Sequence, residues 1–78
     1  MPTVLRQGPY RLFFYSGERL EPPHVHVERG ECCAKFWLRP VRVADSGAFG
    51  GSELRGLQRL VVANANQLSR AWDEFFGF

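Results

Sequence analysis

His24 and His26 are the only histidines of this chain, and they lie two residues apart in EPPHVHVERG, directly behind Pro22 and Pro23. Imidazole changes charge near neutral pH and also ligates transition metals, so the pair raises two chemistries, proton transfer and metal binding. A metal site would draw on His24, His26 and Cys33, with Glu28 or Asp73 as a further carboxylate, and thiolate with imidazole suits zinc. Structural zinc sites normally use four protein ligands and catalytic ones three. Only three good ligands are visible, so no metal and no cofactor are expected. A metal-independent nuclease would instead use His24 and His26 as general acid and base, with Lys35 or an arginine stabilising charge on the phosphorane. The plainest alternative makes both histidines ordinary strand residues, exposed or touching a partner.

The elements that carry these residues are legible from periodicity. TVLRQ (3–7), YRLFFYS (10–16), HVHVE (24–28) and ECCAKFWL (31–38) read as strands, with RPVRV (39–43) extending the last or forming a short fifth. Sequential strands usually neighbour one another, so an antiparallel meander is the simplest arrangement. The Gly-rich ADSGAFGGS (44–52) joins this half to a helical one. Leu54, Leu57, Val61, Leu68, Trp72 and Phe75 then recur at helical steps. Ser52 reads as an N-cap, and Asn64 with Gln67 has the spacing of a capping box. Two consecutive helices, about 53–63 and 65–76, are favoured over one long bent helix. The expected fold is α+β: a four- to five-stranded antiparallel meander with C-terminal helices on one face. It forms one domain over residues 1–78, β over about 1–43 and helical over about 52–76.

A two-residue turn at Arg29–Gly30 would pair Glu28 with Glu31, His26 with Cys33 and His24 with Lys35. Alternation then puts Val25, Val27, Cys32, Ala34, Phe36 and Leu38 on one face, and His24, His26, Cys33, Lys35 and Trp37 on the other. The first face belongs to the core. The second is a site, a partner surface or plain solvent-facing surface. Aromatics occupy both faces of the YRLFFYS strand, which favours a binding patch on the second. Trp72 and Phe75 read as core, leaving Phe76 and Phe78 for a partner.

The net charge of +2 is too weak to indicate nucleic acid by itself, although nine of the ten basic residues are Arg. Arg55, Arg59 and Arg70 read as a solvated helix face. No run approaches a membrane span and no secretory signal is visible, so a cytoplasmic protein is expected. Adjacent Cys32 and Cys33 cannot form a CxxC redox pair. A chain of 78 residues is expected to lean on a partner or a second copy for stability.

MPTVLRQGPYRLFFYS, EPPHVHVERG, AKFWL and AWDEFF together resemble a family of short bacterial proteins long described as a domain of unknown function. The resemblance covers nearly the whole chain, and the DhiT-type toxins look like the relevant subgroup. It rests on Pro22, Pro23, His24, His26, Lys35, Phe36 and Trp37, with Tyr10, Phe14, Tyr15 and Trp72. ECC and SGAFGG depart from the family pattern, which weakens Cys33 as a ligand. The resemblance implies a toxin of a type II toxin–antitoxin pair, held inactive by a small neighbour-encoded protein and acting on RNA or the translation machinery. For a metal-independent ribonuclease, the hairpin geometry assigns His24, His26 and Lys35 to catalysis, with Arg29 contacting phosphate and Tyr15 or Trp37 stacking on bases. A non-catalytic binding module, antitoxin or regulator, would use the same histidine face as a protein interface.

Overall fold

The computed structural model describes residues 3–77. Five strands run β1 (Thr3–Gln7), β2 (Tyr10–Phe13), β3 (His24–Arg29), β4 (Cys32–Leu38) and β5 (Val41–Asp45), followed by helices α1 (Gly51–Ala63) and α2 (Ala65–Phe76). The strands form one antiparallel sheet in the order β1-β2-β3-β4-β5, a meander as expected. RPVRV is therefore a turn and a separate fifth strand rather than an extension of β4.

Glycine places the first turns. Gln7 pairs with Tyr10 and Arg29 with Cys32, leaving Gly8–Pro9 and Gly30–Glu31 as two-residue loops. Gly8 and Gly30 have φ of 57° and 58°, while no residue other than glycine has positive φ among those described. Positive φ at the first loop position alone is the type II′ turn. This corrects the expected Arg29–Gly30 turn, which would put Arg29 in a conformation that L side chains resist. The register moves by two residues, so His24 pairs with Trp37 and His26 with Lys35. A shift by two preserves both faces, and Val25 and Val27 still oppose Phe36 and Ala34.

The core lies between that apolar face and the helices. Leu12, Val25, Val27, Ala34, Phe36 and Leu38 meet Leu57, Val61, Leu68 and Trp72 in one cluster. Each large side chain buried there contributes on the order of 1.5–3 kcal/mol. Phe14, just past the end of β2, joins the same cluster edge-on to Trp72, with ring centres 5.2 Å apart. The last turn of α2 reverses an expectation: Phe76 packs on Trp72 at 4.2 Å, whereas Phe75 is 44% exposed. Phe78 lies outside the described residues.

The helix boundary falls at Asn64, but not by a capping box. Its side-chain amide donates backward to the Leu60 carbonyl at 2.9 Å, and it makes no side-chain cap to α2. Likewise Gly50, not Ser52, is the N-cap of α1. A buttress on the helix side fixes α1 to the sheet: Arg29 makes two hydrogen bonds to Glu53, at 2.7 and 2.9 Å, and the Tyr10 hydroxyl donates to Glu53 at 2.6 Å. Arg29, then Tyr10, hold the Glu53 carboxyl below its ordinary range. A depressed carboxyl stabilises the fold above its unfolded pKa, and the contribution disappears as pH falls through the lower folded value. In Tm-against-pH profiles, Glu53→Gln is therefore expected to approach wild type at the acid end and fall below it at neutral pH. A constant gap at every pH would contradict this.

Gly47 closes the joint between β5 and α1. Its φ is 60°, and an added Cβ would overlap the backbone carbonyl of Cys33. Gly47→Ala is expected to cost more than about 1 kcal/mol, read as a lower urea midpoint. An unchanged midpoint would mean the joint is not held against β4.

Candidate functional site

The histidines alternate with core residues Val25 and Val27, with His24 at the strand end reaching Trp72 of α2, and the segment between β2 and β3, residues 14–23, brings Glu18 onto both rings. Three short contacts shape that segment. Glu18 N–H donates to the Tyr15 carbonyl and Glu21 N–H to the Glu18 carbonyl, each at 3.2 Å, while Leu38 N–H donates to the Pro23 carbonyl at 3.0 Å. The two prolines supply rigid backbone where the loop re-enters the sheet. Pro22 directs its carbonyl at His24 Nδ1, 2.9 Å away. The EPP preceding HVH thus positions a ring as well as a strand.

Glu18 is the centre of the arrangement. His26 Nε2 lies 2.8 Å from Glu18 Oε1 in a hydrogen bond. His24 Nε2 lies 2.9 Å from the same oxygen but makes no aligned hydrogen bond, so it is buried without a hydrogen-bond partner. The ligating atoms of Glu18, His24 and His26 all stand within 4.8 Å of one another. Burial pushes the Glu18 carboxyl upward, but the two imidazoles outweigh it and hold the group below its ordinary value. Side-chain packing immobilises both rings. His26 stacks on Phe13 with centroids 5.4 Å apart and meets Tyr15 edge-on at 4.7 Å. His24 is flanked by His26 at 5.2 Å, Trp37 at 5.7 Å and Trp72 at 4.9 Å.

Of the six residues singled out from sequence, five come together. Lys35 is opposite His26 on β4, pairs with Glu21 and lies 4.7 Å above the Trp37 ring. Tyr15, 42% exposed, forms the outer rim. Arg29 does not join them. It shares the helix-side face with Val25 and Val27 and is held by Glu53, so a phosphate contact from Arg29 at this site is corrected. The acid-and-base pairing also changes. His24 is 0% exposed and its Nδ1 is engaged by Pro22, so it does not reach a substrate; His26, at 9%, borders the surface.

The ligand count made from sequence is corrected as well. It missed Glu18, a loop residue eight positions from His26, because loop carboxylates carry no periodic signal. The further ligands it considered are engaged elsewhere or lie outside the cluster. Glu28 pairs with Arg11 at 3.2 Å and Asp73 with Arg39 at 2.7 Å. Cys33, opposite Glu28, is outside the cluster among the described residues, and burial followed by Glu28 pushes its thiol upward.

Sheet, helices and cluster together define a small α+β protein with a part-buried Glu-His-His group beside a Lys-aromatic rim. The chain belongs to the family described as Domain of unknown function (DUF4160), which matches over residues 10–73 and so spans the strands β2 to β5, the whole cluster and Trp72. No curated protein and no solved structure matched the chain. No helix among the described residues is long and apolar enough to cross a membrane.

Proposed function

We propose that this chain is the toxin-like member of a bacterial type II toxin–antitoxin pair, acting in the cytoplasm on RNA or the translation machinery from the Glu18–His24–His26–Lys35 face. The observation that carries the reading is the convergence of two imidazoles on one carboxylate oxygen inside a chain of 78 residues. Burying ionisable groups is costly and weakens a small fold, so such a cluster is a candidate for function. RNA fits the rim. Lys35 offers a cation to phosphate, and Tyr15 and Trp37 offer rings to bases. The resemblance to DhiT-type toxins suggests the biological setting, in which a small neighbour-encoded protein holds the toxin inactive.

A non-catalytic role, as antitoxin or regulator, is the second reading. Its support is apolar surface on the same loop as Glu18: Leu20 is 98% exposed, near the half-exposed Tyr15. Expression of the chain alone, of its genomic neighbour alone, and of both together separates the two. The toxin reading expects growth arrest and altered RNA integrity with this chain alone, relieved by the neighbour. Arrest by the neighbour alone, relieved by this chain, would reverse the roles.

A further inference from the structure

We infer that Glu18, His24 and His26 bind a divalent transition-metal ion, zinc being the best chemical fit, through Oε1 and the two Nε2 atoms. His24 supplies the first reason. A carbonyl only accepts hydrogen bonds, so His24 Nδ1, facing the Pro22 carbonyl at 2.9 Å, carries the proton. His24 Nε2, a buried atom with no aligned hydrogen-bond partner, stands 2.9 Å from Glu18 Oε1 and is the ring atom free to ligate a cation. Two electron-rich atoms at that distance require a proton or a cation between them. A cation between the two converts both into ligands. Metal-ligating histidines almost always donate their other ring N–H to a carboxylate, a backbone carbonyl or water, as His24 does to Pro22.

His26 and Glu18 complete the donor set. Their bonded atoms are 2.8 Å apart, and all three ligand atoms fall within 4.8 Å of one another. Zinc bonds of about 2.0–2.1 Å at tetrahedral angles separate ligand atoms by about 3.3 Å. Withdrawal of the Glu18 carboxylate by roughly half an ångström brings both of its separations from the imidazole nitrogens to that spacing, and Glu18 is on a loop rather than in the sheet. His26 releases to solvent the proton it shares with Glu18 when it becomes a ligand. Two imidazoles disfavour magnesium and calcium, which prefer oxygen. Three protein ligands leave a fourth position for water or a phosphate oxygen, the composition of catalytic rather than structural zinc sites. The ion-binding claim goes beyond the toxin reading and stands or falls separately from it.

The test uses the full chain, purified without an affinity tag and stripped with chelator, then titrated calorimetrically with zinc chloride and separately with cobalt(II). Expected are one ion per chain, a raised Tm, and visible cobalt bands of a four-coordinate nitrogen–oxygen site without a thiolate charge-transfer band. Glu18→Gln and His26→Gln are each expected to weaken binding at least about 100-fold while remaining folded by circular dichroism. A Cys32→Ser, Cys33→Ser double variant is expected to bind like wild type. Folded wild type that takes up less than one ion per chain overturns the inference. So does a thiolate band, or a folded Glu18→Gln variant that binds as tightly as wild type. Because ion stoichiometry is read directly, the outcome is independent of growth arrest, and the wild-type cobalt spectrum decides even if a variant does not fold.

Discussion

Trp72→Ala is expected to lower the free energy of unfolding by about 3–5 kcal/mol. A domain of this length has roughly 4–12 kcal/mol in total, so the variant loses anywhere from about a quarter to all of its stability. Trp72 is 1% exposed and joins three parts of the molecule: Phe14 at the end of β2, Phe76 in its own helix, and His24 at the start of β3, with centroids 5.2, 4.2 and 4.9 Å away. Truncation leaves a cavity that these rings cannot all close, because each is held by other neighbours. Phe75→Ala, three positions on, is the matched control and is expected to cost clearly less, as its side chain is nearly half exposed. Urea denaturation of both checks the contrast. Equal costs would mean that α2 is not seated on the sheet through Trp72.

His24 carries the second large effect, and here packing and chemistry separate. His24→Ala removes a fully buried ring from between Trp37, Trp72 and His26, and is expected to cost about 2–4 kcal/mol. His24→Phe refills the space without restoring either ring nitrogen. It is expected to recover part of that stability, the remainder being the Pro22 carbonyl left without its donor. If the ring serves only as packing, His24→Phe matches wild type in growth arrest and zinc binding. If its Nε2 works with Glu18, His24→Phe folds yet loses both growth arrest and zinc binding.

Much of the fold was written in local patterns. The alternation of HVHV and AKFW assigned every residue of the central hairpin to the correct face, and the Leu54–Leu57–Val61–Leu68–Trp72 steps located both helices. The register was not legible, because Arg29–Gly30 and Gly30–Glu31 are both two-residue turns by count. Only the backbone angle at Gly30 distinguishes them. The end of α2 was misread for a similar reason. Phe75 and Phe76 are both consistent with the apolar stripe and both stand 6.4 Å from Phe14, and the packing of Phe76 on Trp72 at 4.2 Å is what distinguishes them.

The site was half legible. His24, His26, Lys35 and Trp37 share a face by strand geometry alone. Glu18 did not announce itself, since no spacing rule connects a turn residue to a strand histidine eight positions later, and the expected phosphate contact of Arg29 came from its charge, whereas strand alternation puts it beside Val25 and Val27. The meaning of Pro22–Pro23 also required three dimensions: the Pro22 carbonyl meets the His24 ring, and the Pro23 carbonyl takes the Leu38 amide.

The central claim is that the Glu18–His24–His26 cluster is what this protein works with. The most direct measurement is growth after induction of wild type and of Glu18→Gln, at matched soluble levels, in cells lacking the neighbour-encoded protein. Glutamine keeps the size of the side chain and an acceptor for His26, while losing the charge. The account predicts arrest by wild type and normal growth with Glu18→Gln. Equal arrest by both proteins would contradict it.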